Sequence, residues 1–183
     1  MSTNLDVRVQ GRTLVLNTIY AMNPASLVLV MISALLLWNL MDSAFRVKYW
    51  RAVNILFAFL SVFAILYATL LNRTVGEHEI SLRPFRLLYD SEPELTRAMF
   101  MNILLFFPLG LSMSTALPGK RWFRIALTVA TGFFLSLSVE YTQFRYGLGV
   151  AELDDVICNT LGCVVGSLNL VNMTGHMNKI EVL

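Results

Sequence analysis

Charge is what this chain has least of. Lys, Arg, Asp and Glu make up 14% of its 183 residues, against about 25% in soluble domains. The net charge of +2 is too small for a phosphate-backbone surface, so no nucleic-acid partner is expected. Cysteine is nearly absent. Cys158 and Cys163 stand five apart inside an apolar run, on different faces of a helix, and read as buried free thiols rather than a disulfide framework or metal ligands. Of the two histidines, His78 sits beside Glu77 and Glu79 as a solvated loop residue, and His176 has no partner nearby. No P-loop, dinucleotide fingerprint, HExxH or Cys-pair pattern occurs, so neither a metal nor a cofactor is expected. No cleaved signal peptide is expected either, because about twenty mixed residues precede the first apolar run.

What the chain has in quantity is hydrocarbon. Its residues are 56% hydrophobic and its mean hydropathy is +0.64, which predicts an all-α integral membrane protein of one domain. A membrane helix needs about 20 apolar residues, and five runs approach that length: about 24–41, 52–71, 98–117, 122–144 and 154–171. Residues 1–23 are too polar to span. Val7 to Val15 alternates around Gln10-Gly11, which suggests either a small β-hairpin or an interfacial tail. Residues 79–82 suggest a strand that pairs with that hairpin. A short helix N-capped by Ser91, with Glu94 at the capping-box position, is expected to lead into the third span. The short loops 42–51 and 118–124 carry Arg46, Lys48, Arg51, Lys120, Arg121 and Arg124. This bias predicts a multi-pass cell-membrane protein with its N-terminus outside and its C-terminus cytoplasmic.

The helix rise then brings the polar residues to one level. Glu140 lies eighteen residues beyond Trp122, about 27 Å along the fourth span and close to the outer interface. Gln143 is one turn further on the same face. Asp154 and Asp155 open the fifth span from that side, with Asn159 one turn below. Asn102 lies near the start of the third span, and Arg83 and Arg86 belong to the outer loop. Two alternatives remain open on these residues alone. The acids could be helix-end decoration, favoured by the dipole by about 0.3–1 kcal/mol each, or they could form one polar site. Dipole decoration does not explain Glu140 and Gln143 at a helix C-terminus. Asp155, Asn159, Gly162 and Gly166 make one stripe on the fifth span, and Gly132, Ser136, Glu140 and Gln143 make another on the fourth. Gly162-x-x-x-Gly166 permits close helix approach, and the two stripes are expected to pack the fourth and fifth spans together.

Three ordered motifs carry a resemblance. Residues 102–110 read NILLFFPLG, 138–143 read SVEYTQ and 153–162 read LDDVICNTLG. Together with Arg73-Thr74 and Pro84-Phe85-Arg86, this order over about residues 70–170 resembles the VanZ-like family of bacterial membrane proteins. Many members carry an arginine shortly before the acid pair, where this chain has Gly149. The resemblance implies an association with resistance to teicoplanin, a lipoglycopeptide, as in the family's founding member. The expected partners are membrane lipids and an amphiphile, either a lipoglycopeptide or a lipid-linked wall precursor. In that role Glu140, Asp154 and Asp155 would meet cationic groups. Asn102, Gln143 and Asn159 would supply amide hydrogen bonds, and Arg83 and Arg86 would contact phosphate. The alternative is a membrane-embedded enzyme acting on a lipid, its carboxylates sharing acid and base roles or holding a divalent cation. A transporter ranks lower, because the polar residues cluster at one end rather than at the midplane.

Overall fold

The computed structural model describes residues 24–44, 50–71, 76, 78–84 and 93–168. Five α-helices and two short strands follow in the order α1 (Pro24–Ala44), α2 (Trp50–Leu66), a π-helical turn (Tyr67–Leu71), β1 (His78–Ser81), α3 (Pro93–Ala116), α4 (Arg121–Tyr146), β2 (Gly149–Glu152) and α5 (Leu153–Ser167). Long apolar segments take this form because a helix satisfies its own backbone where no water is available. The hydroxyls inside the helices do the same, as Ser61, Ser112, Thr115 and Thr160 each donate to the carbonyl four residues back. The suggested N-terminal hairpin, His176 and Arg86 lie outside the described residues.

Helix boundaries are set by identifiable breakers. The turn between α3 and α4 carries Pro118 and Gly119, the latter at φ 103°. Arg51 Nε donates to the carbonyl of Ala116 at 3.1 Å, filling one of the acceptors a helix end leaves open. α4 stops at Gly147, whose left-handed φ of 61° costs glycine nothing. Leu148 then folds back to donate its N–H to the Gln143 carbonyl at 2.8 Å.

The expected five spans become five helices of unequal reach. Among the described residues, three segments are long and apolar enough to cross a membrane: Trp50–Leu71, Leu95–Ala116 and Arg121–Tyr146. α1 carries a shorter apolar stretch, Val28–Trp38. α5 has 15 residues, about 22 Å of helix, which is less than the roughly 30 Å hydrocarbon thickness. Span three has no separate lead-in helix, since α3 runs unbroken from Pro93.

Apolar side chains face outward and small polar ones inward. Leu29, Leu36, Phe59, Phe63 and Phe134 are all more than 60% exposed, whereas Asn54, Thr128 and Ser136 are fully buried. A water-soluble monomer rarely shows so much continuous hydrocarbon, and the bundle reads as a membrane protein. Its core joins Ile65 of α2, Phe106 and Leu109 of α3, Val139 of α4 and Cys163 of α5.

Glycine sets the helix spacing, and here one expectation changes. A Cβ on Gly162 would overlap the carbonyl of Ile103, and one on Gly166 would overlap the carbonyl of Phe107. Both residues therefore seat α5 against α3, the third span, not against the fourth as the stripe predicted. The α4 side of α5 is met through Gly132, whose added Cβ would strike Cys163 Sγ, while Gly110 of α3 is pressed against the Cys163 backbone. α5 is wedged between two helices, with Cys163 held between two glycines.

The strand at residues 78–81 does form, but its described partner is β2. The two run parallel, with His78 opposite Gly149, Glu79 opposite Val150, Ile80 opposite Ala151 and Ser81 opposite Glu152. Positive φ at Gly147 and Gly149 turns the chain sharply after α4, and this swing brings residues 149–152 beside β1.

Candidate functional site: a polar cluster at the α4–α5 end of the bundle

α4 ends where α5 begins, with only residues 147–152 between them. That short connection brings the α4 carboxylate back onto the entry of the next helix. Glu140 Oε2 accepts the backbone N–H of Glu152 at 2.9 Å, and Glu152 is the N-cap of α5. Glu140 is a carboxylate near a helix C-terminus because its partner is the amide that opens the next helix. Burial at 6% exposure makes that bond costly to lose.

Gln143, one turn on, reaches a different helix. Its Nε2 donates to the Thr69 carbonyl at 3.0 Å. Thr69 lies in the π-helical turn, among the last carbonyls of its segment and lacking a helical partner. Thr69 and Gln143 are both buried, so the amide closes an acceptor that no water could reach. Asn159 is the third latch. Its Nδ2 donates to Ser136 Oγ at 2.9 Å, joining α5 to α4. The other end of the same amide, Oδ1, is buried with no hydrogen-bond partner. Exchanging the two ends of the amide would leave one of them open in the same way.

The acid pair occupies the first turn of α5, where a helix favours negative charge. Asp154 is 2% exposed and Asp155 is half-buried. Thus Glu140, Gln143, Asp154, Asp155 and Asn159 share one end of the bundle. Arg83 is exposed and follows β1 by two residues; the parallel register puts Ser81 opposite Glu152, which carries the chain toward the start of α5. Asn102 is half-buried on α3. Among the described residues it makes no hydrogen bond to the cluster, although its neighbour Ile103 lies against Gly162. Gly149 has φ 138°, a conformation in which side chains are strained.

Two further residues belong to this end. Ser136 is the partner of Asn159, and its place on the Gly132–Glu140 stripe signals it in the sequence. His78 is exposed, as a loop histidine should be, yet its Nδ1 meets the Phe144 carbonyl at 2.7 Å and its ring packs edge-on to Phe144 at 6.2 Å. No local pattern reveals that bond, since its two residues are 66 apart in sequence. Among the described residues, no group of three or more His, Cys, Asp and Glu side chains is arranged to hold a metal ion. Chemically, the cluster offers carboxylates at a helix mouth and one buried amide atom with a vacant valence.

Comparison with known proteins agrees with the motifs. The chain is 32% identical over 84 residues to Protein VanZ of Enterococcus faecium, an overlap of 45% of this chain and 50% of that protein. It thus spans half the length of the curated relative it matches. No solved structure matches the chain. The family model described as VanZ/LLP1 matches residues 50–173, a stretch that holds every member of the cluster, and the chain belongs to the VanZ/LLP1 family.

Proposed function

We propose that this protein acts in glycopeptide (teicoplanin) resistance or the cell-envelope response, by binding an amphiphile at the polar end of α4 and α5. The amphiphile is a lipoglycopeptide or a lipid-linked wall precursor, and lipid surrounds the rest of the bundle. In this reading the five helices are embedded in the membrane with the N-terminus outside and the C-terminus cytoplasmic. The cluster then faces the compartment where such ligands occur.

The observation that carries the proposal is the unsatisfied Asn159 amide beside the acid pair. Most of the cluster is used in joining helices, as Glu140 and Gln143 are. A family of helix latches would be expected to close all of its valences, and Asn159 leaves one open within a turn of Asp155. Half-buried Asp155 supplies the charge for a ligand ammonium group, and charge-assisted bonds of this kind are among the stronger ones. In this reading exposed Arg83 contacts the precursor phosphate.

Direct binding tests it. Purified protein in detergent should bind fluorescent teicoplanin or a lipid-linked precursor analogue saturably. Asp155→Asn should weaken that binding about tenfold, the scale of one charge-assisted bond. Equal binding by wild type and Asp155→Asn, with both proteins folded, would remove the acid pair from the site.

A further inference from the structure

At the opposite end of the bundle, the first turns of α4 collect positive charge, with no acid in the first turn of the helix. Lys120 is the N-cap and makes no side-chain cap bond, and Arg121 is the first helical residue. A helix N-terminus already carries the positive end of the dipole and open N–H donors. Arginines at 121 and 124, three apart on one face, add like charges that repel. Such a start to a helix is unfavourable by itself and becomes favourable when an anion sits on it.

Two buried side chains on the same face point to that anion. Arg124 is 7% exposed and its Nε is buried with no hydrogen-bond partner among the described residues, as is the Nε of Arg121. Thr128, one turn deeper, is fully buried. Its hydroxyl has no hydrogen-bond partner among the described residues. Of the six other threonines in the described helices, five (Thr69, Thr115, Thr131, Thr142 and Thr160) donate to the carbonyl four residues back. Thr128 forgoes that default bond inside a hydrocarbon-rich bundle, where an unmade bond is costly.

We infer that Arg124 and Thr128, one turn apart on the buried face of α4, form with Arg121 a binding site for a phosphate oxyanion, in the half of the bundle opposite the polar cluster. Arginine matches phosphate through its planar fork of donors, and a threonine hydroxyl can donate to an oxygen the guanidinium leaves free. The source of the oxyanion is a phospholipid headgroup or free phosphate. In a membrane the headgroup level coincides with the end of a spanning helix, which places a lipid phosphate within reach of these residues.

Native mass spectrometry of the full chain, with phosphatidylglycerol titrated in, reads the site directly. Wild type should retain the lipid. Arg124→Gln should weaken retention about tenfold or more, and Thr128→Val, which keeps shape, about threefold to tenfold. Arg124→Lys should fall between wild type and Arg124→Gln, because it keeps charge and loses the fork. Arg145→Gln, exposed at the far end of α4, should leave retention unchanged. Competition by inorganic phosphate would identify the oxyanion alone as sufficient, and lipid retention without competition would identify the headgroup as the source. Retention equal to wild type in both Arg124→Gln and Thr128→Val, with helix content intact by circular dichroism, would overturn the site.

Discussion

At the scale of single residues, the cluster side chains hold helix ends together. Glu140 holds: its carboxylate accepts the Glu152 amide. Glu140→Gln keeps an oxygen there and should fold with nearly wild-type thermal stability. Glu140→Ala leaves a buried N–H unmet and should lose about 1–3 kcal/mol, read as a lowered midpoint of unfolding in detergent. The same logic of burial governs the thiols. Cys158 and Cys163 are 1% and 0% exposed, so neither should react with a maleimide in the folded protein, and both should react after denaturation. Rapid labelling of the native protein at either position would contradict the packing of α5.

At the scale of elements, glycine placement governs how closely α5 can sit. Gly162→Ala or Gly166→Ala would drive a methyl group into backbone carbonyls of α3, which cannot rotate away. Each should destabilise by about 1–3 kcal/mol. Gly76→Ala, where the nearest atom to the new Cβ is at 3.9 Å, should be tolerated in the same assay. The stripe containing Gly162 and Gly166 was legible in the sequence, because spacing fixes which residues share a face. Its partner helix was not, because a face gives no sign of what it meets; α5 lies between α3 and α4, and both have glycines to offer. The helices themselves were legible to within a few residues, because hydrophobic length determines them. β2 was not, because a four-residue strand formed by two positive-φ glycines has too little pattern. Gly147→Ala probes that turn: a Cβ there meets the Gly76 carbonyl at 2.8 Å, in a left-handed backbone. The change should cost about 1–2 kcal/mol and loosen the pairing of β1 with β2, read as faster amide exchange over residues 78–81.

At the scale of the whole molecule, the two ends of the bundle are chemically different. One end holds Glu140, Asp154 and Asp155, and the other begins α4 with Lys120, Arg121 and Arg124. The convergence of the acids and amides was readable from helix rise alone, because chain reversal returns α5 to the level where α4 stops. Their use as latches was not, since Gln143 finds its acceptor 74 residues away in a π-helical turn that no periodicity announces. The described part of the fifth span is α5, Leu153–Ser167; residues 169–171, to which the hydrophobic count extends it, lie outside the described residues. The measurement that bears most directly on the role of the polar end is drug susceptibility. A sensitive Gram-positive host would express the wild type, Asp155→Asn or Glu140→Gln at equal membrane levels, and would be challenged with teicoplanin and vancomycin. The predicted result is protection against teicoplanin by wild type, its loss in Asp155→Asn, and its weakening in Glu140→Gln, whose fold is kept. Undiminished protection in Asp155→Asn, or none from the wild type, would contradict a resistance role seated at the acid pair.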